Sequence, residues 1–318
     1  MEKNEGKFII GTHNGIFHCD EIIACGILKI MFEGIKKVEI VRSRDTDFLK
    51  KKCDILIDIG GGKFDHHQKG GNGKRENNIS YASAGLIWKE FGILLIDKIS
   101  NKCFTSQENN KIFKTIDKEI IEKIDQEDNG IKIDHHPFQF INYYLPSWKE
   151  TKPNYDKAFS DALYHTTEIL NNYFKNIIAN ELGINELEMR IKDPQTRKNN
   201  ILFIPSQTIN WLETIIKYNE KNNETPIDFV IFSYPAGGYA LQCVPPSLEE
   251  KFSQRIKLPD SWSGETANLS QITGIKSATF CHKGCFFARA NELNDIISMC
   301  IIATSNQKKQ KKLYVKKP

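Results

Sequence analysis

The chain has 318 residues, of which 40% are hydrophobic and 26% charged, with a formal net charge of +4. This length exceeds what one hydrophobic core usually covers, so we expect two folded domains and exclude a disordered chain. The small positive charge neither requires nor excludes a nucleic-acid partner. We find no apolar run long enough for a bilayer and no signal or clear transit peptide, so we expect an intracellular protein, cytoplasmic or nuclear.

The first 130 residues alternate short β-rich segments with helical patterns, as expected for an α/β domain with a doubly wound, mostly parallel sheet. The segment 54–60 is apolar almost throughout, which is typical of a parallel strand covered on both faces. The predicted elements are strands at 7–13, 38–43 and 54–60 and helices at 20–32, 80–92 and 108–127.

A helical pattern over 155–190 connects this first domain, assigned to 1–150, to a second one, assigned to 151–318. The second part is predicted to be a smaller α+β domain that ends in a basic tail, residues 308–318. We interpret this tail as solvated, with contact to phosphate backbones or a nuclear-import signal as alternatives. The predicted elements of this domain are strands at 201–205, 228–234 and 239–245, of which the last two form a hairpin, and a helix at 207–219.

The eight cysteines form no CxxC pair, which favours reduced thiols over a disulfide scaffold. Cys281, His282 and Cys285 lie close together in the sequence. Two cysteines and one histidine do not complete a zinc site, so we interpret the cysteines as structural.

Histidines and acids follow two of the predicted strands. Any one of them has an ordinary explanation, since an aspartate can cap a helix and a histidine can be a hydrogen-bonded core residue. Ligands of open parallel sheets, however, bind at the carboxyl ends of strands, and a set of imidazoles and carboxylates there suits Mn²⁺ or Mg²⁺ better than a thiolate zinc site. The residues are His13, His18 and Asp20 after the first strand, Asp58 in the third, Asp65, His66 and His67 beyond it, and Asp125 or Asp128 further on.

Several of these residues belong to longer motifs, which are GTHNGIFHCDE, DIGG before DHHQ, SAGLIWKEFG and DNGI. In the second domain, CVPPSLEEKFSQRIKLPDSWSG and HKG extend the match. The sequence resembles the DHH phosphoesterase superfamily and, within it, the eukaryotic melanocyte-proliferating-gene-type exonucleases. The resemblance implies that the first domain binds two divalent metal ions, Mn²⁺ or Mg²⁺, and that the second binds the substrate.

The resemblance also implies roles for single residues. It leaves open which of His66 and His67 binds metal and whether Asp125 or Asp128 supplies the fourth motif. The implied metal ligands are His13, His18, Asp20, Asp58, Asp65, His66 and Asp128; the implied catalytic residues are His67, Asp65 and Asp125; the implied substrate-binding residues are Arg255, His282, Gly284 and Arg289.

A second Asp-His-His triplet, at 134–136, follows the DNGI motif. It lies where the family has a connecting segment, so we interpret it as a coincidental match in an exposed loop, with an auxiliary metal contact as the alternative.

The function implied by the resemblance is metal-dependent hydrolysis of phosphodiesters by a 3′–5′ exonuclease acting on single-stranded RNA. One alternative is a phosphohydrolase of small substrates such as pyrophosphate, short oligonucleotides or cyclic dinucleotides. Another is a catalytically silent RNA-binding or scaffold protein. The resemblance adds mitochondria as a further location.

Overall fold

The computed structural model describes the backbone of residues 6–315 and the side chains of residues 6–309. The chain divides into two compact units, Met1–Ile178 and Ala179–Pro318, each with its own buried apolar clusters. The first unit contains a parallel sheet with helices and the second a mixed sheet, so the predicted fold class is confirmed.

The sheet of the first unit has three parallel strands. β1 (Lys7–Thr12) lies in the middle, between β2 (Lys37–Arg42) and β3 (Ile55–Leu56). Ile10 of β1 is fully buried, as expected for a central strand of an α/β sheet. Because all three strands run in the same direction, the residues that follow β1 and β3 emerge at the same edge.

Helices complete the first unit and bury its core. Trp88 and Phe174 stack within this core with ring centroids 5.5 Å apart. A five-residue π-helical segment, Asp117–Ile121, joins two of the helices. The helices are α1 (Cys19–Phe32), α2 (Thr46–Lys52), α3 (Ser83–Ser100), α4 (Ser106–Ile116), α5 (Glu122–Asp128) and the part of α6 (Tyr155–Lys192) up to Ile178, with a 3₁₀ turn at Gln139–Tyr144.

The second unit is built on a six-stranded sheet of order β4-β5-β6-β7-β9-β8, in which only β5 and β6 pair in parallel. β6 and β7 form the predicted antiparallel hairpin. The elements are β4 (Arg197–Lys198), β5 (Ile201–Phe203), α7 (Leu212–Lys221), β6 (Phe229–Ser233), β7 (Tyr239–Cys243), α8 (Leu269–Thr273), β8 (Ala278–Cys281), β9 (Phe287–Ala290) and α9 (Leu293–Val315), with a 3₁₀ turn at Asp260–Trp262.

Several predicted elements differ from the structure. The helix predicted at 80–92 extends to Ser100, and the helix predicted at 108–127 is divided by the π-helical segment. The strand predicted at 54–60 covers only Ile55–Leu56, because Asp58 has a left-handed backbone with φ of 59° that ends the extended run. The helix predicted from residue 207 begins at Leu212. Over residues 6–315, no helix has the length and apolar character needed to cross a membrane.

Candidate metal centre

The loop between β1 and α1 carries the first predicted site residues. His13 is 8% exposed, and His18 is the N-cap of α1. The Glu21 carboxylate accepts the His18 backbone N–H at 2.8 and 2.9 Å. From β2, Arg42 donates to the carbonyls of His13 at 3.1 Å and Gly15 at 2.8 Å. The loop is therefore fixed at both ends, and Glu21 and Arg42 are contributors that sequence reasoning missed.

The loop after β3 folds back on itself through Asp65. One carboxylate oxygen of Asp65 accepts the Gly61 N–H at 2.7 Å, and the other accepts the His67 N–H at 2.9 Å. The Asp58 N–H donates to the Phe64 carbonyl at 3.0 Å, which closes the same loop. Asp65, a predicted metal ligand, thus uses both oxygens to set the loop that presents the two histidines after it.

Asp58 lies at the centre of the cluster, and its side chain is fully buried. Its Oδ2 is 3.3 Å from His13 Nε2, and its Oδ1 is 3.2 Å from His66 Nε2 and 3.0 Å from His67 Nδ1. His13 Nε2 also lies 3.1 Å from Glu21 Oε1. One carboxylate therefore contacts the imidazoles of two separate motifs.

Two further acids reach the same cluster from α1 and α5. His66 Nε2 is 3.0 Å from Asp128 Oδ2 and 3.8 Å from Asp20 Oδ2. The N-terminus of α3 supports them, because the Ser83 N–H donates to Asp20 at 3.2 Å and its hydroxyl lies 3.1 Å from Asp58 Oδ1. The structure thus brings residues from four sequence motifs together at one edge of the sheet.

Asp125, the alternative to Asp128, has other partners. Its fully buried carboxylate accepts hydrogen bonds from Arg75 at 2.8 and 3.0 Å and from the backbone N–H groups of Ala82 and Gly85 at 3.1 and 3.0 Å. A Cβ on Gly85 would lie 2.1 Å from Asp125 Oδ2, so this glycine leaves room for the carboxylate. Asp125 thereby anchors the start of α3.

The charges of the cluster shift its pKa values. Burial opposes protonation of His13 and His66, but the carboxylates of Asp58 and Glu21 beside His13, and of Asp128 and Asp58 beside His66, raise each pKa to about 10. Burial would raise the pKa of Asp58, but the adjacent imidazoles of His13 and His66 hold this pKa well below its usual range. The cluster therefore gathers several charges that a cation could share.

Three buried atoms suit a metal ion. Asp20 Oδ1, Asp58 Oδ2 and His66 Nε2 have no aligned hydrogen-bond partner among the described residues, although ion-pair distances to neighbours are short. Buried polar atoms normally have a partner, so these atoms fit a ligand role. Three overlapping groups could hold metal ions, and these are His13, His18, Glu21 and Asp58; Asp58, His66 and His67; and His18, Asp20 and Asp128.

In the second unit, the two predicted substrate-binding arginines contact protein groups. Arg255 Nε donates to Asp228 Oδ1 at 3.0 Å. The Arg289 guanidinium lies 3.8 Å from the ring centroid of Tyr234, and its Nη2 donates to the Gly237 carbonyl at 3.3 Å. Arg289 Nε has no partner in the described part of the chain.

His282 and Gly284 form a tight turn between β8 and β9. The Gly284 N–H donates to His282 Nδ1 at 3.0 Å, which places the proton of a neutral His282 on Nε2. A Cβ on Gly284 would come within 3.0 Å of the Phe286 ring. Cys281 and Cys285 flank the turn and are fully buried.

The triplet at 134–136 belongs to none of the three groups found among the described residues. Asp134 and His135 are exposed, as predicted for a loop. His136 is buried, so the prediction is wrong for this residue.

Fold and site together define an α/β protein with a histidine and carboxylate cluster, able to hold metal ions, at the carboxyl edge of a parallel sheet. A family model named MYG1_exonuc, with the description "Uncharacterised protein family (UPF0160)", matches residues 9–304, and the chain belongs to this family. The resemblance to melanocyte-proliferating-gene-type proteins is thereby confirmed.

Relatives from distant organisms match most of the chain. The MYG1 exonuclease of Homo sapiens is 29% identical over 326 residues, which cover 91% of this chain and 84% of that protein. The MYG1 protein of Chlamydia pneumoniae is 29% identical over 295 residues, which cover 88% of this chain and 90% of that protein. The MYG1 protein of Dictyostelium discoideum is 27% identical over 332 residues, which cover 94% of this chain and 96% of that protein.

Proposed function

We propose that the protein is a metal-dependent phosphodiester hydrolase that removes nucleotides from the 3′ end of single-stranded RNA. The observation that carries the proposal is the buried Asp58 carboxylate, which lies within 3.3 Å of the imidazole nitrogens of His13, His66 and His67. The mammalian relatives named MYG1 exonuclease support the same reaction class.

The imidazoles and carboxylates of the cluster would hold two divalent ions, Mn²⁺ or Mg²⁺. Such ions supply a nucleophile by lowering the pKa of water, and they neutralise charge on the phosphate. In this assignment Asp58, which belongs to two of the three candidate groups, would be a metal ligand. Asp128 is preferred over Asp125 as the ligand from the fourth motif because Asp125 is bound by Arg75. The proposed ligands are His13, His18, Asp20, Asp58, His66 and Asp128.

His67 is the proposed contact to the substrate. Its side chain is 58% exposed, whereas the His66 side chain is 9% exposed. With His67 Nδ1 located 3.0 Å from Asp58, its Nε2 is left for a phosphate oxygen or for proton transfer to the leaving group. Asp65 orients this histidine through the His67 N–H and is a positioning residue.

The test is a comparison of substrates with the full chain. RNA labelled at its 5′ end, the matching DNA, pyrophosphate and a dinucleotide are incubated with Mn²⁺ or with EDTA. We expect Mn²⁺-dependent shortening of the RNA from its 3′ end and a loss on the order of 10³-fold in Asp58→Asn. Asp134→Asn, which changes an exposed aspartate outside the cluster, is the matched control.

Two outcomes would contradict the proposal in different ways. Hydrolysis of pyrophosphate or the dinucleotide alone would replace RNA by a small phosphate compound as substrate. Inertness toward all four compounds in protein that binds Mn²⁺ would exclude the hydrolase and favour an RNA-binding role.

A further inference from the structure

A cavity of about 400 Å³ lies in the second unit, near the start of α7 and the end of β7. Three aromatic side chains line it, those of Trp211, Phe252 and Phe286. Trp211 is 6% exposed and belongs to the buried core, whereas Phe252 is 99% exposed. A cavity of this size accommodates a small organic ligand such as a nucleotide.

Phe252 is unusual because almost the whole surface of its ring is exposed to water, so burial of this ring contributes nothing to the stability of the fold. The Phe252 carbonyl accepts a hydrogen bond from Gln254 Nε2 at 2.7 Å, so the backbone beneath the ring has a local contact. An exposed ring beside a cavity offers a face on which a flat ligand can stack.

Carboxamides supply the polar part of the lining. Gln207, Asn210 and Gln242 border the cavity, and within the part of the chain that the structure describes no hydrogen bond engages their amide groups. Each amide offers donors and an acceptor, which is the pattern that matches the edge of a nucleobase. A purely apolar ligand would leave these groups without partners.

The charge of the lining also selects the ligand. The described residues around the cavity include one cation, Lys251, and no carboxylate. Lys251 is exposed, so its ammonium group is accessible to a phosphate. Aromatic faces, free amides and one cation together correspond to a base that carries a phosphate.

We propose that this cavity binds one nucleobase of a single-stranded nucleic acid, by stacking on Phe252 and by hydrogen bonds to the amides. The inference rests on the proposed function, because it assigns part of the RNA to the second unit. In contrast to the cluster around Asp58, the cavity recognises the base and needs no metal.

The test measures binding without hydrolysis. The full chain in EDTA is titrated with AMP and with ribose 5-phosphate, which lacks the base, by calorimetry. We expect AMP to bind at least ten-fold more tightly. Phe252→Ala should weaken AMP binding roughly five-fold or more, since stacking on one aromatic ring is worth at least that much, and Phe252→Tyr should retain it. Tyr143→Ala, which removes an 89% exposed ring from the first unit, is the matched control.

Equal binding of AMP and ribose 5-phosphate, no binding of AMP at millimolar concentration, or unchanged AMP binding in Phe252→Ala would overturn the inference. A cavity for an apolar peptide would give the second of these results, because it would not bind AMP. Because EDTA removes metals from the assay, AMP binding can hold while the hydrolase proposal fails. Conversely, if the protein hydrolyses RNA with Mn²⁺ but Phe252→Ala leaves AMP binding unchanged, the nucleobase cavity is rejected and the hydrolase proposal stands.

Discussion

His136 Nε2 lies 2.6 Å from the Glu127 carboxylate. The other ring nitrogen, Nδ1, accepts the Phe138 backbone N–H at 3.2 Å, so the proton of a neutral ring is on Nε2 and is donated to Glu127. Glu127 directly precedes Asp128 near the end of α5. The second Asp-His-His triplet therefore contributes its last histidine as a buried support beside a proposed metal ligand.

His136→Ala should lower both stability and metal affinity. The substitution leaves the Phe138 N–H and the Glu127 carboxylate without their partner, which we expect to cost about 2 kcal/mol or more in urea unfolding. Mn²⁺ affinity, measured by electron paramagnetic resonance, should fall about ten-fold because Asp128 is less well held. His135→Ala, at an exposed position, should change neither quantity. Equal effects of the two variants would refute the supporting role.

Asp125→Asn and Asp128→Asn should separate stability from metal binding. Asp125 is paired with Arg75 in the interior, so we expect its substitution to reduce the free energy of unfolding by about 3 kcal/mol. Asp128 lies beside His66, and its substitution should weaken Mn²⁺ binding at least ten-fold with little change in stability. If Asp125→Asn is stable but no longer binds Mn²⁺, Asp125 is the metal ligand and the assignment of this role to Asp128 is wrong.

Gly85→Ala should be severely destabilising. A Cβ at this position would come within 2.1 and 2.6 Å of the Asp125 oxygens, so the buried ion pair or the helix must move. We expect a loss of about 3 kcal/mol or more in urea unfolding. Gly62→Ala is the control, since its Cβ would meet nothing within 4 Å, and it should stay within about 0.5 kcal/mol. Similar values for both variants would exclude steric conflict as the cause.

Mn²⁺ should raise the melting temperature of the protein, because an ion that binds only the folded state stabilises it by about 2.7 kcal/mol at a hundred-fold excess over Kd. The buried atoms of Asp20, Asp58 and His66 that have no aligned hydrogen bond among the described residues are the expected binding points. Asp58→Asn should abolish the increase in differential scanning fluorimetry, and Asp134→Asn should retain it. A full increase in Asp58→Asn would place the ion elsewhere.

Metal binding should release protons and strengthen as pH rises from 6 to 8. In the metal-free protein the neighbouring carboxylates outweigh burial and raise the pKa of His13 and His66 to about 10, so both rings are cationic at neutral pH. A ligand nitrogen must lose its proton, which predicts about a ten-fold gain in Mn²⁺ affinity per pH unit for each proton released. Calorimetry in buffers of different ionisation enthalpy counts these protons, and a count of zero would contradict the prediction.

The same shifts make the stability of the metal-free protein depend on pH. Each histidine has a higher pKa in the folded state, about 10, than in the unfolded state, about 6.5. Its protonation therefore stabilises the folded protein fully below pH 6.5, and this contribution is lost as pH rises through about 10. Urea unfolding in EDTA should therefore show a decreasing contribution of the two histidines between pH 6.5 and 10. His13→Gln and His66→Gln should flatten this dependence.

The first strands and helices could be predicted because their apolar residues follow clear periodicities. β1 was predicted at 7–13 and found at Lys7–Thr12, and the carboxyl-end rule then indicated where the strand-end acids would meet. β8 and β9 escaped prediction because four-residue strands give too short a pattern.

Partners that depend on tertiary contacts were also missed. Arg75 lies in a glycine-rich loop with no periodicity, and its ion pair with Asp125 joins residues 50 positions apart. Glu21 had a local signal, because it stands three residues after the N-cap His18 in a capping box. A histidine at the N-cap is outside the usual set of capping residues, which concealed the motif.

The backbone of Asp58 also constrains how this position can change. A left-handed φ of 59° is adopted most readily by glycine, asparagine and aspartate. In the genetic code, single-base changes lead from aspartate to asparagine and to glycine. The replacements that best suit this backbone are thus one mutation away, and both remove the carboxylate. Mutation at this codon therefore leads directly to chains whose backbone at position 58 is unstrained and which lack the buried carboxylate between the three imidazoles.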